Sequence, residues 1–174
     1  MAPSFSALSF SLLLVSISMV CNGQVPFQST MVFYLQDIGA GPNATVTPVT
    51  GINGREGSYD QFGTIFAVDD PMMMSPNPIS TQVGRAQGML IVSAHDASNV
   101  NVVLSIVFTN LQYSGSTLEI QGIIHQRESY KEVSVVSGTG RFRFARGYAA
   151  LETVFYDAQS AHSIIRLTIT LRQS

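Results

Sequence analysis

The C-terminal stretch alternates without a break. Ile165, Leu167, Ile169 and Leu171 fall on one parity, and Arg166, Thr168, Thr170 and Arg172 on the other. A period of two sets the apolar side chains on one face of an extended strand and the polar ones on the opposite face. The same period recurs along the chain. Met31, Phe33, Leu35 and Asp37 alternate with Val32, Tyr34, Gln36 and Ile38. Residues 60–70 read as a long strand with Phe62, Thr64, Phe66 and Val68 on one side, closed by Asp69-Asp70-Pro71. Further strand patterns cover 44–50, 83–94, 101–110, 115–124, 130–136 and 151–156. Pro48 marks the first of these as an edge or bulged strand, and Gly84 and Gly88 suit a bend in the second. Residues 72–78, with three methionines and two more prolines, read as a loop or lid. No window of twelve residues carries a 3.6-residue period, so the chain is predicted to be all-β.

Such a chain must dispose of its sheet edges. Cys21 is the only cysteine, and it lies in a leader: 10–20 is an apolar run followed by Cys21-Asn22-Gly23, the pattern of a secretory signal at 1–23. The remaining domain, 24–174, then has no disulfide and must rely on its core, on closure of its sheet, or on association. Closure into a barrel is the favoured solution, with a sandwich second. A barrel of about eight strands has an interior that is packed or holds one small ligand. Asn43-Ala44-Thr45 is a glycosylation sequon in a turn, consistent with secretion.

Charge patterning narrows the chemistry. A net charge of −2 argues against a nucleic-acid surface or a polybasic membrane anchor. His95, His125 and His162 lack ligand spacing, so no metal site is expected. Gly138-Thr139-Gly140 lacks the rest of a dinucleotide fingerprint and no Gly-x-Ser-x-Gly elbow occurs, so neither a cofactor nor acyl transfer is indicated. The stretch 138–148 is more informative. Read as a strand, it sets Phe142, Phe144, Arg146 and Tyr148 on one face. A guanidinium there needs a carboxylate or an anionic ligand. Asp37, which ends an apolar face, is one candidate, with Asp69 and Asp70 as other carboxylates at a strand end. A structural ion pair and a plain turn before Pro71 are the bland readings. The functional one is an acid in an apolar cup that passes a proton while an arginine orients it or holds an oxyanion.

Five blocks occur in order: Phe33-Tyr34-Leu35-Gln36-Asp37-Ile38, Phe62-Gly63-Thr64 through Pro71, Gly84-Arg85-Ala86-Gln87-Gly88, Tyr113-Ser114-Gly115-Ser116-Thr117-Leu118, and 138–148. Together they resemble the plant dirigent family over nearly the whole of 24–174. The resemblance implies an eight-stranded antiparallel β-barrel with an apolar central cavity, secreted to the cell wall, usually as a homotrimer. It implies stereochemical guidance of phenoxy radical coupling of monolignols or similar phenols in lignan biosynthesis, the oxidant coming from a separate laccase or peroxidase. The alternatives are a dehydratase-cyclase acting on a quinone methide, as in pterocarpan formation, and a non-catalytic wall or defence protein. Carried over by motif, Asp37, Asp69 and Arg146 are the catalytic candidates; Phe33, Phe144, Ile165 and Leu167 are the substrate-lining ones. The chain departs from lignan-forming members at Gln36, at Met89-Leu90-Ile91 and at Arg141, which leans it away from pinoresinol-type coupling.

Overall fold

A computed structural model describes residues 28–50 and 57–172. The leader 1–23, with Cys21, lies outside the described residues. Among the described residues nine strands form: β1 (Gln28–Ile38), β2 (Val46–Thr50), β3 (Ile65–Met73), β4 (Gln82–Val92), β5 (Asn99–Phe108), β6 (Thr117–His125), β7 (Lys131–Gly138), β8 (Gly147–Asp157) and β9 (His162–Arg172). Eight of them close an antiparallel barrel in the order β1-β9-β8-β7-β6-β5-β4-β3. The circle is completed where Tyr34 and Leu35 pair with Met73 and Met72. The alternation read from the sequence is what fills the interior. Phe66, Val102, Leu118, Val133, Ala149 and Leu167 are buried, while their sequence neighbours face out or are partly covered.

The seam between β1 and β3 is irregular, and the irregularity shapes the site. Continuing the Leu35–Met72 register would set Asp37 directly opposite Asp70. The chain enters β2 at that point instead. Thr45 N donates to Ile38 O at 2.8 Å, and Asp69 N donates to Thr45 O at 2.8 Å. From there β2 runs along β3, pairing Val46 with Val68 and Pro48 with Phe66 before a bulge. Pro48 therefore lies on an edge strand, where a missing N–H costs least. An additional segment in the wall spreads the barrel at this end.

Pro71 is accommodated by the same irregularity. Because Asp69 N points toward the seam, the nitrogen two residues on points there too, between the end of β2 and the start of the β1 pairing. No ladder bond is lost, so β3 continues through Pro71. This corrects two expectations: β3 spans Ile65–Met73 rather than 60–70, and Met72 and Met73 are buried strand residues, not part of a lid.

The two ends of the barrel differ. The turns 39–45, 57–64, 93–98, 126–130 and 158–161 surround the open end. The opposite end is plugged by rings. Phe108 meets Phe33 at 5.7 Å, Tyr113 at 5.5 Å and Phe142 at 5.1 Å between ring centroids. Phe142 reaches that plug from a 3-10 turn, Gly140–Phe142, and not from a strand. Here the reading of 138–148 as one strand fails. Gly140 and Phe144 both take left-handed backbone angles, φ 58° and 67°, and two such residues destroy a period of two. At Gly140 a Cβ would also fall 2.5 Å from Ser116 Oγ. The strand resumes only at Gly147, with Ala149 and Leu151 inward and Tyr148 outward.

Candidate functional site

Toward the open end the barrel encloses a cavity of about 560 Å³. Its wall is mainly apolar, built from inward positions such as Leu35, Val68, Val102, Leu104, Leu151 and Ile165. That volume suits one drug-sized ligand. Two carboxylates face it across the β1–β3 seam: Asp37 from β1 and Asp70 from β3.

Asp70 is the deeper acid, only 3% exposed, and its Oδ1 is buried without a hydrogen-bond partner. Burial first, and the nearby charge of Asp37 second, push its pKa up to about 8; a hydroxyl contact from Thr45 and the charge of Arg85 pull the other way. Burial also pushes Asp37 up to about 6, against a lowering influence of His162. Two like charges at one site oppose each other's ionisation, so near neutral pH the pair holds a transferable proton. Tyr59 completes the cluster. Its ring stacks on Phe66 at 4.1 Å, and burial together with the charges of Asp37 and Asp70 raises its phenol above the usual tyrosine value. Although Tyr59 keeps 40% of its surface exposed, it lines the cavity. Gln126 holds the Tyr59 segment in place, its Nε2 donating to the Tyr59 and Ala97 carbonyls, both at 2.6 Å.

Behind Asp37, on the outside of the wall, Gln36 is buried between two partners. Its Nε2 donates to Pro76 O at 3.3 Å, and its Oε1 lies 3.0 Å from His162 Nε2, which fixes that ring nitrogen as the donor. His162 thus stands beside Asp37 with its orientation set.

Of the residues expected at the site, Asp37 and Ile165 line the cavity. Leu167 faces inward but is fully buried in the packed core, and Phe33 belongs to the aromatic plug. Asp69 is on the outside. Arg85 Nε donates to its Oδ1, Gln87 Nε2 donates to the same oxygen at 2.9 Å, and the Arg85 contact holds its carboxyl below the usual range. Asp69 and Asp70 are adjacent on a strand, so only one of them can face in, and the alternation Phe66, Val68, Asp70 selects the second. That signal was present in the sequence. Phe144 is 86% exposed, and Arg146 is exposed with its Nη1 donating to Ala145 O at 2.8 Å. Arg146 O accepts from Arg172 N, and Arg172 pairs with Gln28 at the far end of β1. Nine residue-to-residue steps of strand lead from Gln28 to Asp37, roughly 30 Å at about 3.3 Å each. Asp37 and Arg146 therefore form no pair. Asn43 sits exposed in the turn between β1 and β2.

Comparison with known proteins fits this geometry. The family model described as "Dirigent-like protein" matches residues 28–172. The chain is 34% identical to Pterocarpan synthase 1 of Glycyrrhiza echinata over 139 residues, 79% of this chain and 73% of the relative. It is 33% identical to Dirigent protein 23 of Arabidopsis thaliana, covering 80% and 74% respectively. The solved structure of a pterocarpan synthase dirigent protein superposes with a TM-score of 0.76 at 30% identity, covering 86% of each chain. A closed antiparallel barrel, an apolar cup with a seam of acids, and a family match along the described length lead to one assignment: the chain belongs to the dirigent-like protein family.

Proposed function

We propose that this chain takes a phenolic alcohol into its cup, assists loss of water to a quinone methide, and steers the closure or addition that follows. The observation that carries the reading is the pair Asp37 and Asp70 facing a mainly apolar cavity, the deeper acid with an unpartnered oxygen. An acid kept protonated near neutral pH can donate to a leaving hydroxyl, which a surface carboxylate cannot. The similarity to pterocarpan synthases supports the same choice.

The step balances. The substrate phenol gives its proton to solvent at the open end, and the charge of Asp37 keeps Asp70 protonated. Electron density from the phenolate oxygen expels the benzylic hydroxyl, which leaves as water with the proton of Asp70. A second hydroxyl of the substrate then attacks the benzylic carbon. The electron pair returns to the phenolic oxygen, which recovers a proton from solvent, and the attacking hydroxyl restores the proton of Asp70. One molecule of water is lost and no oxidant is consumed. The apolar wall excludes competing water and presents one face of the planar intermediate.

On this reading the chain works outside the cell after removal of 1–23, glycosylated at Asn43 and associated as a trimer. The test is direct. Purified protein is incubated with a racemic isoflavan-4-ol bearing a second phenol, with no oxidase added, and product rate and chirality are followed. Faster water loss with an enantiomerically enriched product is expected. An unchanged rate with racemic product would overturn the reading. A parallel incubation with coniferyl alcohol and laccase would then show whether the cup guides radicals made by a separate oxidase instead.

A further inference from the structure

Because Arg146 lies at the plugged end, the phenolic oxygen that gathers negative charge needs another cation. Among the described residues lining the cavity, Lys131 is the one Lys or Arg. It opens β7, and its parity with buried Val133 and Val135 turns it inward. Leu151 stands beside it on β8, and continuing the Gln121–Ser134 register sets Ile124 beside it on β6. Both neighbours also line the cavity, so Lys131 has an apolar surround. Glu132, next along the strand, is exposed and accepts from Tyr130 OH at 2.9 Å. Among the described residues the ion pairs are Arg85 with Asp69 and Arg166 with Glu152, and neither involves Lys131.

Its position on the circle is informative. Counting from the acid-bearing seam, one direction runs β1, β9, β8, β7 and the other β3, β4, β5, β6. Lys131 therefore stands across the barrel from Asp37 and Asp70. Eight tilted strands about 4.8 Å apart enclose a ring roughly 16 Å wide at the backbone. An inward lysine and an inward aspartate reaching from opposite walls leave space for one aromatic ring between their head groups.

We propose that Lys131 binds the phenolic oxygen of the substrate and stabilises it as the phenolate, while the benzylic carbon of the same ring faces the two acids. This rests on the cup being a phenol site, and it assigns the orientation of the guest. A ring held between a cation and a proton donor is polarised in the direction that expels the hydroxyl, so Lys131 acts on the reacting atoms themselves.

A probe that does not react separates this assignment from the reaction. 7-Hydroxycoumarin carries one phenol whose neutral and ionised forms differ in absorption and fluorescence. Asp37, Asp70, Tyr59 and Tyr156 face the same cavity, and their charges or their apolar surround would oppose ionisation of a bound phenol. A lowered value therefore reports the ammonium. In the full chain the bound probe should ionise about one pH unit below the free one, a tenfold change. Lys131→Met keeps the aliphatic stem and should abolish or reverse the shift, Lys131→Arg should keep it, and Arg146→Ala should not affect it. Equal titration of the probe in the parent and Lys131→Met proteins overturns the proposal, and so does failure of the probe to bind. Asp70→Asn should retain the shift while losing isoflavanol turnover. A parent protein that shifts the probe but leaves isoflavanols unchanged defeats the assigned reaction and spares Lys131.

Discussion

The two ends of this barrel use the same strands for opposite purposes. At one end Phe33, Phe108, Tyr113 and Phe142 fill the lumen ring against ring. At the other the wall is spread by β2, and the lumen is left hollow with two carboxylates facing it. Four rings meet at the plug, whereas the inward positions at the cup are mainly aliphatic, so the difference is one of side-chain volume as well as of strand count. The comparison teaches that a reactive site here is a region where packing has been withheld, and that the plug supplies the cohesion the cup forgoes.

The largest effect is expected where packing is densest. Phe108→Ala removes the ring shared by three aromatic contacts and should cost about 3–5 kcal/mol in denaturant unfolding. A loss below about 1 kcal/mol would mean that the plug is not what holds the barrel. At the cup, Asp70→Asn should lower isoflavanol turnover by about 10²–10³-fold while leaving the protein folded. Retained turnover would remove Asp70 from the chemistry.

The same acids make stability depend on pH in a definite direction. Their folded values, about 6 for Asp37 and about 8 for Asp70, lie above the ordinary carboxylate range. Between about pH 4 and 8 the folded chain thus retains protons that the unfolded chain has released, and stability falls as pH rises, by up to about 1.4 kcal/mol per proton per pH unit. Asp70→Asn should flatten that decline and raise stability at pH 8 by on the order of 2 kcal/mol. A stability curve that rises across this window would show that the acids are not desolvated.

Smaller effects lie at the rim. Gln126→Ala releases the Tyr59 segment from its two carbonyl contacts and should raise KM several-fold with little change in kcat, seen in steady-state kinetics. The smallest belong to the exterior. Asp69→Asn and Arg146→Ala should each leave turnover within about twofold and stability within about 0.5–1 kcal/mol, because one belongs to an exposed ion pair and the other is an exposed side chain donating to its neighbouring carbonyl. A large loss of turnover in Arg146→Ala would return the catalytic cation to the plugged end.

Much of this arrangement was legible in the chain. A period of two, repeated through β1 to β9, defines which side chains face inward wherever the strand is regular, and it identified Asp37, Ile165 and Leu167 as inward residues. Extended through Val68 it also selects Asp70 over Asp69. The alternation misled where left-handed residues interrupt it, at Gly140 and Phe144, and so Phe144 and Arg146 were assigned to an inner face they do not occupy.

By itself, then, the sequence determined that the chain is all-β and which parity of each regular strand is interior, because side-chain direction in a strand is a local property. It could not determine which interior residues meet. That Asp37 faces Asp70 rather than Arg146, that β2 enters the seam between them, and that Lys131 stands across from both depend on the closure of β1 onto β3. Only that long-range pairing brings residues far apart in the chain around one cavity, and it is there that desolvation and mutual repulsion raise the pKa values of two ordinary aspartates.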